Sequence, residues 1–369
     1  MEKQIKKNIL LYLIVLGITL IFGIFFVYSS LFAMEELNGI NPKTKLLNYI
    51  IAMTIGTVGG IISFVFGKVL IKSKSFMISM YIFLNSFLFI VLFFSHNVAN
   101  VNRWLYFGSF QFQPSELAKL LIPAIIAHYY YIKTKSNFLF DLLIPVIICG
   151  IPIFLIYKEP DLSTSVIISF ISIISIFLAI KKFKYQSILI LTVITITIFA
   201  FIFKDNLLHS YQLQRLNNSD NYQTQQSLKA IENGGVLGTS PFNGKYKYRV
   251  PASYSDFIMS VIGEEWGKLG IILVITLFLF LSWNLITMAY TTKNLLTIVY
   301  SCTTAMWIFV QVTINALVGL GVKGIPVTGV TLPLMSYGNT SLIITLTAIG
   351  LSLGLIYFNS LGSEQIEKN

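Results

Sequence analysis

Charge is scarce in this chain. Only 11% of its 369 residues are Asp, Glu, Lys or Arg, against about 25% in water-soluble domains. No polar stretch is long enough to fold as a soluble domain, which excludes the two or three soluble units that the length alone would allow. Cysteine is nearly absent. Cys149 and Cys302 both lie in apolar runs, so two buried thiols and no disulfide are expected. No CxxC or HExxH pattern occurs and His96, His128 and His209 are scattered, so no metal cage is read from motifs.

What is abundant is apolar surface, at 55% of residues, with 14% aromatic. A bilayer-spanning helix needs about 20 mostly apolar residues. Ten such stretches occur, at roughly 9–33, 47–67, 76–95, 116–132, 139–157, 163–180, 186–203, 265–290, 295–320 and 333–357. The expected fold is therefore an all-α integral membrane protein of about ten transmembrane helices, a single domain over 1–369. The first stretch is too long for the apolar core of a signal peptide and no A-x-A site follows, so it is read as a retained helix.

The net charge of +11 reports topology rather than a nucleic-acid partner. Lys3, Lys6, Lys7, Lys68, Lys72, Lys74, Lys133, Lys135, Lys181, Lys182, Lys184, Lys293 and Lys368 fall on one side of the ten stretches. The short loops of the other side hold only Lys43, Lys45, Arg103, Lys158 and Lys323. The positive-inside rule then puts both termini in the cytoplasm. It leaves one large extracytoplasmic loop, about 204–254, between the seventh and eighth spans.

Polar residues gather in five islands, all expected on the outer side. The large loop contains Arg215, Asn217, Asp220 and Gln223, and 222–232 has the pattern of an amphipathic helix ended by Gly234. A second island runs from His96 through Arg103 and Trp104 to Gln113, Pro114, Glu116 and Lys119. Pro114 can open a helix, which puts Glu116 and Lys119 on one face. Ionisable residues inside a span line a cavity or have a partner. The third island is Lys158 to Thr164, with Asp161 or Ser163 as a helix cap.

The fourth island, 251–268, leads into the eighth span. A helix from 255 to 290 would be about 54 Å long, against roughly 30 Å of hydrocarbon. Its first turns must project outward or it must bend near Gly263 or Gly267; on one continuous helix Asp256, Ser260 and Gly263 share a face. Asp256 alone reads equally well as a dipole partner of that helix. The fifth island, 321–341, is rich in Gly and Pro. Broken backbone at membrane depth survives only inside protein or beside a cavity.

In this order the islands resemble the SEDS family of FtsW, RodA and SpoVE. The most specific runs are Asn-Arg-Trp at 102–104 with Phe-Gln-Pro-Ser-Glu-Leu-Ala-Lys at 112–119, and Glu-Pro-Asp-Leu-Ser-Thr at 159–164. Tyr-Gln-x-x-Gln-Ser-x-x-Ala-Ile at 222–231, Ser-Asp-Phe-Ile-x-x-Val-Ile-Gly-Glu-Glu at 255–265 and Pro-Val-Thr-Gly-Val-Thr-Leu-Pro-Leu-Met-Ser-Tyr-Gly at 326–338 follow. The resemblance covers nearly the whole chain. It implies a peptidoglycan glycosyltransferase in the bacterial cytoplasmic membrane, polymerising lipid II on the outer face beside a class B penicillin-binding protein. It also implies Asp256 as the catalytic carboxylate.

On that reading Asp256 is the general base for an inverting attack on a sugar diphosphate. Arg103, Lys119 and Arg249 are candidates to hold the leaving diphosphate, and Trp104, Glu116 and Ser336 complete the substrate-binding set. A divalent cation, Mg2+ or Mn2+, can share the task with Glu116. The chain departs from the family pattern at Ala252, Tyr254 and Ser255, where Glu, His and Thr are usual, and at Ser163 and Asn339, where Gly is usual. Three other readings suit ten helices and a polar outer end: a flippase for lipid II or another polyprenyl-linked sugar, a scaffold that activates a transpeptidase, and a polymerase or ligase for a different polyprenyl-linked glycan. Elongation, division and sporulation roles are not separated.

Overall fold

The computed structural model describes residues 2–38, 41–94, 103–107, 110–159, 161–203, 222–322 and 328–367. The expectations for His96 to Asn102, for 204–221 with Arg215, Asn217 and Asp220, and for Lys323 lie outside the described residues.

Helices dominate. They are α1 (Glu2–Asn38), α2 (Pro42–Lys72), α3 (Lys74–Phe94), α4 (Pro114–Ile132), α5 (Ile144–Lys158, entered through a π turn at Leu139–Leu143), α6 (Leu162–Ala179) and α7 (Phe183–Ile202). After the large loop come α8 (Tyr222–Gly234), α9 (Ile258–Glu265), α10 (Gly267–Thr291), α11 (Leu295–Gly319) and α12 (Asn339–Glu367). Strands β1 (Leu105–Phe107) and β2 (Phe110–Phe112) form a small antiparallel hairpin before α4. Each of the ten expected spans holds a helix, although the tenth begins at Asn339 and not at 333. Eight described helices are long and apolar enough to cross a membrane. The other two spans are α4, which carries Glu116 and Lys119, and α7, whose apolar run is the short 183–199.

Local chemistry sets several helix starts. Asn41 caps α2 by accepting from the Lys43 N–H, with Pro42 at the first position. Pro114 opens α4. Asp161, one of the two expected caps, accepts from the Thr164 N–H at the start of α6. Asn294 does the same for α11 through Thr297. The amphipathic segment of the large loop is helix α8, buried through Thr224, Gln226, Ser227, Ala230 and Ile231.

The eighth span is not one helix. The chain breaks between α9 and α10 at Gly267, where φ is +68°, a conformation that glycine adopts without penalty. A β-carbon there would fall on the Val236 carbonyl. Asp256 precedes α9, in turns, so the helical stripe of Asp256, Ser260 and Gly263 does not form. Trp266 fills the break against Phe22, Phe25 and Phe26 of α1, with ring centroids 5.6, 5.9 and 5.9 Å away.

Contacts place the polar islands at one end of the bundle. There Tyr49 at the start of α2 reaches Leu334, Gln113 before α4 reaches Thr340 at the start of α12, and Ser30 near the end of α1 meets Ser253. At the opposite end Lys68 donates to the Phe358 carbonyl and Asn359 donates to Thr297. Small residues bring α2 and α12 together between these ends. Gly60 faces Gly350, Gly56 faces Ile343, and Gly354 faces Phe64, the close backbone approach that stabilises helix pairs in lipid. A β-carbon on Gly350 would fall on the Gly60 carbonyl. Gly350→Ala should therefore cost about 1–3 kcal/mol, read as a lower melting midpoint in detergent. Gly150→Ala, at a position with nothing within 4 Å of the added carbon, should leave that midpoint within error.

Candidate functional site

The centre of the polar end is the helix-free segment 328–338 and its attachment to the turn that carries Asp256. Three successive carbonyls of that turn are each held by one donor. Tyr337 N–H donates to the Tyr254 carbonyl at 2.9 Å, Ser336 Oγ to the Ser255 carbonyl at 2.6 Å, and Asn315 Nδ2 to the Asp256 carbonyl at 2.9 Å. Ser336 Oγ also accepts from the Leu332 N–H, and Asn315 Nδ2 also donates to the Val330 carbonyl at 2.8 Å. The backbone of Asp256 is thus fixed by α11 and by the 328–338 segment together.

The Asp256 side chain lies beside Gly329, where an added β-carbon would stand 3.5 Å from Oδ2. The residue is half-buried. Burial pushes its carboxyl up to about 6, opposed by the Ser255 hydroxyl. A carboxylate with this value is ionised at neutral pH yet basic enough to accept a proton, as general-base catalysis requires.

Lys119 is anchored to the same helix one turn away. Its ammonium bonds Glu116 Oε1 at 2.6 Å and Gln311 Oε1 at 3.1 Å, and sits 5.8 Å from the Trp307 ring centroid. Gln311 in turn accepts from Trp307 Nε1 and donates to the Thr331 carbonyl at 2.9 Å. Lys119 and Glu116 are both buried. The pair therefore supports α11 and the 328–338 segment from beneath. Glu116 Oε2 has no hydrogen-bond partner among the described residues.

Arg103 belongs to a third cluster. Its Nε donates to the Glu159 carbonyl at 3.3 Å, and its Nη1 lies 3.6 Å from Asp161 Oδ1. Asp161 also accepts from Gln113 Nε2 and from the Thr164 amide and hydroxyl. The Glu159 side chain is wholly buried, and its two oxygens lack hydrogen-bond partners among the described residues. Burial, reinforced by Asp161 and opposed by Arg103, pushes it up to about 9, so it is protonated at neutral pH. Trp104 is half-buried beside Arg103, just before β1.

Arg249 is placed apart from these clusters, exposed, with its guanidinium 5.7 Å from the Tyr246 ring. The stretch before it is held by α9. Glu264 accepts from the successive N–H groups of Lys245, Tyr246 and Lys247. The Lys247 ammonium is buried against Glu265 at 2.8 Å and Ser29 at 3.0 Å.

Sequence reading missed Gln311, Asn315, Lys247 and Glu159. A signal for the first two exists: two carboxamides four residues apart inside an apolar span present one polar stripe to a neighbour. Asn315→Asp tests that stripe. It replaces a donor shared by two carbonyls with an acceptor, and each buried group left unsatisfied costs about 1–3 kcal/mol. Amide hydrogen exchange should speed up across 253–258 and 328–338 and stay unchanged in the first half of α11.

The chain matches the cell cycle protein family of FtsW, RodA and SpoVE over residues 9–360. A relative from Wigglesworthia glossinidia brevipalpis named "Probable peptidoglycan glycosyltransferase FtsW" is 34% identical over 73% of this chain and 73% of its own. A relative of the same name from Borreliella burgdorferi is 28% identical over 92% of this chain and 94% of its own. The fold is that of the Thermus thermophilus rod shape determining protein RodA, with a TM-score of 0.68 at 22% identity over 94% of this chain and 95% of that one. It is also that of a chain in a peptidoglycan synthase complex described as coordinating polymerization and crosslinking, with a TM-score of 0.76 at 23% identity over 94% and 97%. The polar end built around Asp256 is therefore that of a member of the FtsW, RodA and SpoVE family.

Proposed function

We propose that this chain is a peptidoglycan glycosyltransferase of the bacterial cytoplasmic membrane, polymerising lipid II with Asp256 as its general base. The observation that carries the reading is the mounting of Asp256. Its backbone is held at three consecutive carbonyls while its carboxyl stays beside Gly329 with a raised proton affinity. A preorganised base lowers the barrier without reorganising during the reaction.

In the proposed step an acceptor sugar hydroxyl attacks the anomeric carbon of a polyprenyl-diphosphate-linked donor. Asp256 takes the hydroxyl proton, the new glycosidic bond forms with inversion, and the old carbon–oxygen bond breaks to release the polyprenyl diphosphate. Arg103, partly exposed beside Asp161, is the cation assigned to that leaving group, with Trp104 beside it. Arg249, exposed and apart from these clusters, is assigned no step. Lys119 and Ser336 act by positioning, because their polar atoms are bonded within the protein, and Glu116 acts by holding Lys119 through Oε1. Mg2+ or Mn2+ enters this reading only as a counter-ion carried by the diphosphate, which Mg2+ commonly binds together with one or two carboxylates. Among the described residues no group of three His, Cys, Asp or Glu could hold a metal, and no step here runs through one. A class B penicillin-binding protein is the proposed partner, in keeping with the synthase complex whose fold this chain shares.

The test is polymerisation of labelled lipid II by purified protein with its partner transpeptidase. Asp256→Asn should lower the rate by about 10²–10⁴-fold, the usual contribution of a general base, with the partner still bound. Equal product from both proteins would remove Asp256 from catalysis. The wild-type pH profile supplies a second check. The base acts deprotonated, so the rate should be level above pH 7 and fall about tenfold per unit below about 6.

A further inference from the structure

Lys45, at the polar end, is held against aromatic rings and has no counter-charge among the described residues. Lys45, in the first turns of α2, is half-exposed. Its ammonium lies 4.1 Å from the Tyr254 ring centroid and 5.5 Å from that of Tyr337. Among the described residues no carboxylate forms an ion pair with it. The two rings pack edge to face with centroids 5.7 Å apart, and Tyr49 stacks on Tyr337 at 6.5 Å.

A surface lysine ordinarily moves over many rotamers, and an anion that binds it must freeze them. Here the ring faces attract the ammonium and restrict it in advance. The mount is also tied to the base. Tyr254 stands two residues before Asp256, a chain distance of at most about 7 Å. The N–H of Tyr337 holds the Tyr254 carbonyl as part of the same attachment that fixes Asp256. A preset positive charge beside a general base suits the anionic leaving group of a sugar diphosphate.

We propose that Lys45, mounted on Tyr254 and Tyr337, binds the diphosphate of the polyprenyl-linked donor. This rests on the glycosyltransferase reading above. Phosphate chemistry at a membrane surface also comes from phospholipid headgroups, so the test separates the two sources.

The measurement is the steady-state rate against lipid II concentration, in neutral detergent micelles and in vesicles containing phosphatidylglycerol. Lys45→Gln should raise KM for lipid II by about tenfold or more in both media, the loss expected for one charge-assisted contact, with kcat changed less than threefold. Lys45→Arg should recover most of the affinity. Tyr254→Leu should raise KM while Lys45 is present, and should add nothing to Lys45→Gln, because the mount works only through the lysine. Lys43→Gln, at an exposed neighbour, should change nothing. Binding of a labelled polyprenyl diphosphate to the Asp256→Asn protein gives a readout independent of turnover, and Lys45→Gln should weaken it by the same factor. An unchanged KM with an active wild type would overturn the assignment of Lys45 and leave the glycosyltransferase standing. A KM effect confined to phosphatidylglycerol vesicles would assign Lys45 to headgroups instead. A wild type that makes no glycan, with diphosphate binding insensitive to Lys45, would remove both readings.

Discussion

A helix-free stretch packed inside a membrane bundle has to find hydrogen-bond partners within the protein, because lipid supplies none. The segment 328–338 meets that demand with side chains from α2 and α11. Tyr49 serves the Leu334 carbonyl, Gln311 that of Thr331, and Asn315 that of Val330. Asn315 also binds the Asp256 carbonyl, and Ser336 and Tyr337 of the segment itself hold the two carbonyls before it. Satisfying the buried backbone and positioning the carboxylate are therefore one set of bonds. A change that frees the segment also frees Asp256, the proposed base.

The buried charges follow the same logic. Removing ions from water costs several kcal/mol per ion, so a buried pair is weak evidence of stability. The Lys119–Glu116 pair is better understood by where it leads, through Gln311 to Thr331. The Lys247–Glu265 pair leads through Ser29 to α1. One ties α4 to the reactive segment and the other ties the large loop to the first helix. Between them, Asp256 and Glu159 show how environment divides two carboxyls. Burial raises both, but Asp256 stays ionised at neutrality and Glu159 does not, because a second carboxylate stands beside Glu159 and a hydroxyl beside Asp256.

Local features were legible in the sequence. Pro114, Asp161 and the amphipathic pattern of 222–232 announce helix starts and a half-buried helix, and length required that the helix from 255 project outward or bend near Gly263 or Gly267, of which the chain takes the break at Gly267. The five islands also predicted which residues gather at one end. Pairing across long chain separations was not legible. Nothing near Lys119 says that its ammonium meets Gln311, 192 positions away, so a charge destined for the interior read as a ligand for substrate. Asp256 was assigned to a helix because its neighbours have helical spacing. The turn wins because donors from elsewhere in the chain hold its three carbonyls, and a sequence window contains none of them.

The departures from the family pattern bear on the same turn. Ala252 has φ +56°, a region that non-glycine residues rarely occupy. Its carbonyl accepts from both the Ser255 and the Phe257 N–H groups, so the strain is offset within the turn and does not reach Asp256. Ser255 keeps a hydroxyl where the pattern has Thr, and that hydroxyl is the group that opposes the upward shift of Asp256. Tyr254 replaces a ring that can titrate near neutrality with one that carries the Lys45 ammonium. These three residues still serve the turn: the Ala252 carbonyl closes it, the Ser255 hydroxyl faces the carboxyl, and the Tyr254 ring carries an ammonium. The unusual sequence around Asp256 thus leaves the turn closed and its carboxylate mounted, which is what the proposed base requires.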